Sequence, residues 1–163
     1  MWRTQESGFK SEAQMSKTVA IAESLTGGMV GSEVVSRSGA SKYFLGGLVA
    51  YTLEAKVQNL LVDRKLAEAC NCVSADVAEQ MAVGIARLFK SDVGVSTTGF
   101  AEPHGEEPQQ AFVGIYDALT GAKYVRHVSV DIEAGSPASR NDFRKRVTNL
   151  ALAMLHEYAS VPV

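Results

Sequence analysis

The chain has 163 residues, 46% of them hydrophobic, and its 16 Lys and Arg against 18 Asp and Glu give a formal net charge of −2. A chain of this size can build one core, and the balanced charge supplies no general attraction to nucleic acid or to an anionic membrane. Two cysteines, Cys70 and Cys72, are too few for a disulfide framework, and no apolar run reaches the roughly 20 residues that span a bilayer, so we expect a cytoplasmic protein with free thiols.

The first half of the chain predicts two strand–helix units. Residues 1–16 form a polar lead without the apolar segment of a secretory signal, and residues 17–163 are expected to form a single domain. A short apolar run that stops at Glu23-Ser24 is typical of a buried strand, and small residues then open a helical pattern. The predicted elements are a strand at 18–22, a helix at 26–36, a strand at 48–51 and a helix at 53–61.

The second half predicts a long helix, three strands and a final helix. Ser74 is a candidate N-cap for the helix at 75–89, in which Val77, Met81, Ile85 and Leu88 recur at helical spacing. The elements that follow are a strand at 93–98, a hairpin of strands at 111–118 and 124–132, and a helix with a buried stripe of Phe143, Val147, Leu150 and Met154. Strands alternating with helices predict an α/β fold with a mixed sheet flanked by helices on both faces, a three-layer sandwich.

Residues 22–28, Ala-Glu-Ser-Leu-Thr-Gly-Gly, place a hydroxyl at the exit of a buried strand and two glycines where a helix starts. The N–H groups of a helix start can hold a phosphate or stabilise an oxyanion, so we expect those after Gly27 and Gly28 to face a cavity. The simpler alternative is that Ser24 or Thr26 caps the helix and that the glycines only form the turn.

Three further segments lie where a predicted strand ends or a helix begins: residues 51–56, residues 96–103 and the start of the last helix at Arg140. Because strand ends on one edge of an α/β sheet converge, we expect Ser24, Tyr51, Lys56 and Thr98 to line one pocket. A partly desolvated lysine has a lowered pKa and can accept a serine proton. The alternatives are a solvated helix face for Lys56 and a place at the core edge for Tyr51.

Arg140 and Arg144 lie one helical turn apart at the start of the last helix. Arginines at this spacing share a helix face and can grip a phosphate. An ion pair with Asp131 or Glu133 is the alternative.

In this order the segments resemble the CinA C-terminal family, the nicotinamide mononucleotide deamidases, over about residues 17–158. The family motif Ala-Glu-Ser-Cys-Thr-Gly-Gly is matched at six of seven positions, with Leu25 in place of Cys. The other matches are Gly39-Ala40-Ser41 to Gly-Ser-Ser, Tyr51 and Lys56 to Tyr-Ser-Asn-x-x-Lys, Thr98-Gly99 to Ser/Thr-Gly, and Arg140 and Arg144 to Gly-Asp-Arg-x-x-x-Arg.

The resemblance implies an amidohydrolase that converts nicotinamide mononucleotide to nicotinate mononucleotide and ammonia, without a metal or organic cofactor. It implies that Ser24 is the nucleophile, assisted by Tyr51 and Lys56. It also implies that the protein forms a homo-oligomer and binds a small-molecule nucleotide as its substrate. Ser41 stays open as the alternative nucleophile. The residues implied to bind the substrate are Thr26, Gly27, Gly28, Ser41, Thr98, Gly99, Arg140 and Arg144.

The chain departs from the family pattern in one loop and at Leu53, which replaces Asn. Glu102, His104 and Glu106 stand where the family has much of a Gly-Pro-x-Gly-Gly loop. Carboxylates that border a phosphate-bearing substrate repel it or change which substrate is chosen. A second hypothesis is therefore an inactive or substrate-shifted paralogue that binds a nucleotide or a protein partner.

Overall fold

The computed structural model describes residues 17–130 and 138–162, and the predicted polar lead at 1–16 lies outside these ranges. Five strands form one sheet in the order β2-β1-β3-β4-β5. The first three are parallel to one another, whereas β4 runs antiparallel to β3 and β5 antiparallel to β4. The strands are β1 at Val19–Glu23, β2 at Phe44–Val49, β3 at Val93–Phe100, β4 at Gln110–Asp117 and β5 at Lys123–Ser129.

Helices cover both faces of this mixed sheet, which confirms the predicted three-layer α/β fold. The helices are α1 at Met29–Val35, α2 at Leu53–Leu60, α3 at Arg64–Ala69, α4 at Ala75–Phe89 and α5 at Arg140–Ala159. Helices α1 and α5 pack on one face, and α2, α3 and α4 pack on the other. None of the helices in the described ranges combines the length and the apolar composition needed to cross a membrane.

The side chains of β1 alternate between the two faces of the sheet, so the hydrophobic core has two parts. Val19 and Ile21 point to the face covered by α1 and α5, while Ala20 and Ala22 point to the face covered by α2, α3 and α4, as alternation along a strand requires. The second face is built from small residues because α4 lies directly against the sheet. A Cβ added at Gly114 would stand 2.7 Å from the carbonyl oxygen of Ala78 in α4.

The predicted elements differ from the observed ones mainly at their ends. Strand β2 starts at Phe44 rather than at residue 48, because Gly46 and Gly47 lie inside the strand and pair with β1. Helix α4 has the predicted bounds, and Ser74 caps it by accepting a hydrogen bond from the backbone N–H of Val77. Helix α3 was not predicted, because its six residues are too short to show a helical period.

Candidate active site

A cavity of about 280 Å³ opens at the carboxyl ends of the parallel strands β1, β2 and β3. Ser24 directly follows β1, Tyr51 follows β2, and Thr98 lies near the end of β3. These three residues and Lys56 of α2 all line the cavity, as the convergence of strand ends led us to expect. Gly99 and Arg140 line it as well.

The Ser24 hydroxyl and the Lys56 amine meet at the base of this cavity. The Lys56 Nζ atom lies 3.0 Å from Ser24 Oγ, 2.9 Å from the Ala50 carbonyl oxygen and 3.2 Å from the Tyr51 carbonyl oxygen. Ser24 is 6% exposed and Lys56 only 1%. Lys56 therefore does not lie on a solvated helix face, and both side chains are almost entirely buried.

Burial lowers the pKa of the Lys56 ammonium below the ordinary value for lysine. None of the ion pairs in the described part of the chain includes Lys56, so no carboxylate there offsets this effect. The two carbonyl oxygens can only accept hydrogen bonds, so they bind two N–H groups of the amine. A neutral Lys56 then has its lone pair left for the proton of Ser24, which is the arrangement of a nucleophile beside its base.

Thr97 in β3 fixes the turn that carries Ser24. The Ser24 backbone N–H donates to the Thr97 carbonyl oxygen at 3.1 Å and to Thr97 Oγ1 at 3.2 Å. The hydroxyl of Thr26 shares a 2.8 Å hydrogen bond with the same Oγ1 atom. Thr26 is fully buried and does not line the cavity, so the structure gives it a place in the turn and not among the substrate-facing residues.

The expectation that the start of α1 offers its N–H groups to the cavity is wrong. The buried carboxylate of Glu23 accepts hydrogen bonds from the backbone N–H groups of Gly28, Val30 and Gly31 at 3.0, 3.1 and 2.8 Å. Gly27 and Gly28 have left-handed φ angles of 58° and 101°, so they shape the turn. They are not on the cavity surface. Glu23, which we did not predict as a cap, occupies the position expected for a phosphate or an oxyanion.

The side chains of Arg140 and Arg144 contact different parts of the protein. Arg140 lines the cavity, where its Nη1 donates to Glu102 Oε1 at 2.9 Å and its Nη2 donates to the Tyr51 hydroxyl at 3.2 Å. Arg144 instead donates from Nε to the Leu25 carbonyl oxygen at 2.7 Å and from Nη2 to the Thr26 carbonyl oxygen at 3.2 Å. Arg144 therefore holds the turn that carries the serine.

An ion pair was the alternative explanation for these arginines, and Arg140 does form one. Its partner is Glu102, whereas Asp131 and Glu133, which we had considered, lie outside the described residues.

Ser41 lies apart from this cavity. It is exposed in a short 3₁₀ turn at Ala40–Lys42 and lines a different depression beside Val35 and Phe44. Of the two serines considered as nucleophile, only Ser24 has the Lys56 amine beside it.

Several cavity residues were missed by the sequence analysis. Asn71, Cys72 and Val73 reach the cavity from the connection between α3 and α4, and Thr98 Oγ1 ties that connection to the sheet by donating to the Cys72 carbonyl oxygen at 2.6 Å. Burial raises the pKa of the Cys72 thiol. No sequence pattern marks this connection. The role of Thr97 was also missed, and the two adjacent hydroxyl residues Thr97-Thr98 near a strand end were a signal that could have indicated it.

No group of three or more His, Cys, Asp or Glu side chains within residues 17–130 and 138–162 is placed to hold a metal ion.

The CinA C-terminal domain family model matches residues 4–159. A CinA-like protein from Sulfurihydrogenibium sp. is 40% identical over 142 residues, which cover 87% of this chain and 34% of that protein. A CinA-like protein from Dictyoglomus thermophilum is also 40% identical, over 88% of this chain and 34% of its own length. The chain thus spans about a third of the length of the curated relatives that it matches.

Solved structures share the same fold. The competence/damage inducible protein CihA from Agrobacterium tumefaciens is 28% identical, with a TM-score of 0.76 over 87% of this chain and 85% of that one. A competence damage-inducible protein from Klebsiella pneumoniae, 20% identical, has a TM-score of 0.79 over 89% of this chain and 88% of that one, which shows likeness of fold. With the family match over residues 4–159, these findings establish that the chain belongs to the CinA C-terminal domain family.

Proposed function

We propose that this chain is an amidohydrolase that uses Ser24 as its nucleophile and Lys56 as its general base. The observation that carries the proposal is the 3.0 Å contact between Lys56 Nζ and Ser24 Oγ at the base of a cavity, with both side chains buried. The proposed substrate is the carboxamide of nicotinamide mononucleotide, which the family resemblance implies.

In the first half of the reaction the neutral Lys56 amine takes the proton of Ser24 Oγ as this oxygen attacks the carboxamide carbon. The C–N bond of the resulting tetrahedral intermediate then breaks. The nitrogen leaves as ammonia after it receives the proton from the Lys56 ammonium, and the carbonyl carbon stays on Ser24 as an ester.

Water completes the cycle by hydrolysing this ester. Lys56 takes a proton from the attacking water and returns it to Ser24 Oγ, so nicotinate mononucleotide leaves and the enzyme is restored. The Tyr51 carbonyl oxygen contributes by orienting the amine. The Tyr51 hydroxyl accepts a hydrogen bond from Arg140, which leaves its own proton free to bind the substrate.

The experiment is an assay of ammonia release and of nicotinate mononucleotide formation by the purified chain. The parent and a Ser41→Ala variant should both turn over, whereas Ser24→Ala should lose activity by about 10³-fold or more, because the nucleophile is gone. Ser41→Ala is the matched control, since it removes a hydroxyl outside the cavity.

Two outcomes would contradict the proposal. One is a folded parent that binds nicotinamide mononucleotide in calorimetry but releases no ammonia, which would instead favour the hypothesis of a binding paralogue. The other is a Ser24→Ala variant that keeps most of the activity.

A further inference from the structure

Glu102 is a carboxylate at the cavity to which the proposed reaction gives no role. Its side chain lies on the rim, where Oε1 accepts a hydrogen bond from Arg140 Nη1 at 2.9 Å. The same guanidinium donates from Nη2 to the Tyr51 hydroxyl at 3.2 Å. Arg140 therefore connects Glu102 with Tyr51 at the cavity, and its Nη1 atom already has a carboxylate of this chain as a partner.

The positive charge that this cavity offers to a phosphate is limited. Arg140 is the cavity's arginine, because Arg144 points to the backbone of the serine turn. The Lys56 amine already contacts Ser24 and two backbone carbonyl oxygens. Among the described residues that line the cavity, Glu102 then balances Arg140, and a phosphate on the substrate has to compete with Glu102 for the guanidinium.

The rim also offers an aromatic surface. The rings of Phe100 and His104 stack with their centroids 5.2 Å apart and an interplanar angle of 12°. Both residues line the cavity, and Tyr51 lines it as well. A flat, cationic ring such as a pyridinium gains from aromatic faces and from the nearby Glu102 carboxylate.

We infer that Glu102 is a specificity-determining residue that competes with the substrate phosphate for Arg140, so that the site also accepts pyridinium carboxamides without a phosphate, of which nicotinamide riboside is the simplest match. The inference rests on the proposed amidohydrolase function and extends its substrate class. It assigns to one side chain a preference that the catalytic pair Ser24 and Lys56 does not set.

The test compares nicotinamide mononucleotide with nicotinamide riboside in the parent and in Glu102→Gln, by kcat/KM and by the dissociation constants of the two compounds in calorimetry. The parent should hydrolyse the riboside as well as the mononucleotide. Glu102→Gln should raise the mononucleotide-to-riboside ratio of kcat/KM by about tenfold and lower the corresponding ratio of dissociation constants by about tenfold, because one carboxylate charge no longer opposes the phosphate.

Glu106→Gln is the matched control, because it removes the same charge from the same loop at an exposed residue that does not line the cavity. An equal shift toward the mononucleotide in both variants, or unchanged ratios in Glu102→Gln, would overturn the inference. If no protein hydrolyses either compound, the proposed function fails, and the ratio of dissociation constants still decides whether Glu102 selects against the phosphate.

Discussion

Two buried ionisable side chains lie near Ser24, Glu23 as its neighbour in the chain and Lys56 as its hydrogen-bond partner, and they have different partners. Glu23 is 3% exposed and Lys56 1% exposed, so burial does not distinguish them. The Glu23 carboxylate accepts three backbone N–H groups at the start of α1. The Lys56 amine contacts two carbonyl oxygens and one hydroxyl, and that hydroxyl is the one that faces the cavity.

The two buried groups differ in whether any of their partners can react. Every partner of Glu23 given above is a backbone N–H, which cannot give up its proton. Lys56 has one partner, Ser24, whose proton can move and whose oxygen can then attack a substrate. Glu23 is accordingly structural, and Lys56 is the proposed base. Substitutions at these two residues and at Thr97 test this division.

Lys56→Met should remove the proposed general base and so lower activity. The variant keeps an apolar side chain of similar length but has no amine to take the Ser24 proton, so kcat/KM for ammonia release should fall by about 10³-fold. Lys65→Met is the control, because Lys65 is exposed on α3 and its loss should leave turnover unchanged. A Lys56→Met protein that retains a tenth of the parent's activity would show that Ser24 does not depend on this base.

Glu23→Ala should lower the stability of the folded protein. Three N–H groups at the start of α1 would lose their acceptor, so the free energy of unfolding in urea should fall by about 3 kcal/mol, and by about half of that in Glu23→Gln. The control is Glu33→Ala, an exposed residue on the same helix, whose loss should leave stability unchanged. Equal midpoints for Glu23→Ala and Glu33→Ala would contradict the structural assignment.

The pH dependence of stability should separate Lys56 from an ordinary surface lysine. Burial lowers the pKa of Lys56 in the folded protein, so the unfolded chain binds more protons between that lowered pKa and the ordinary lysine value. The free energy of unfolding of the parent, relative to Lys56→Met, should therefore rise with pH across this window, by at most about 1.4 kcal/mol per pH unit.

Urea titrations at pH 7, 8, 9 and 10 measure this difference, with Lys65→Met as the variant that should show no such trend. A difference between the parent and Lys56→Met that falls as the pH rises would mean that the folded protein stabilises the charged ammonium, and would remove the physical basis for using Lys56 as a base.

Thr97→Val should produce the smallest effect and tests how the two sides are connected. Thr97 Oγ1 accepts from the Ser24 backbone N–H and bonds the Thr26 hydroxyl, so its loss should lower stability by about 1 kcal/mol and kcat/KM by about tenfold as the serine shifts. Thr97→Ser keeps the hydroxyl and should restore most of both. If Thr97→Val lowered stability alone, the turn would hold Ser24 without Thr97.

The site was predicted from the sequence to the extent that strand ends converge. Ser24, Tyr51, Lys56 and Thr98 lie at the ends of strands or in the first turn of a helix, and parallel topology brings these positions to one edge of the sheet. Arg144 and Gly28 were assigned to the substrate because their residue types suit a phosphate. The local pattern did not show that their donors are used by the carbonyl oxygens of the serine turn and by the Glu23 carboxylate.

Most strands and helices, although not the short helix α3, follow from the sequence, because the hydrophobic period decides which face of each element is buried. The contact of Ser24 with Lys56, the pairing of Glu102 with Arg140 and the capping of α1 by Glu23 became visible only in the folded molecule. Each depends on atoms distant in the chain, or on which face of the sheet a side chain reaches. Lys56 Nζ bonds a serine 32 positions away, and Arg140 bonds a glutamate 38 positions away. Contacts at such separations are fixed by the packing of the whole fold, and no local period encodes them.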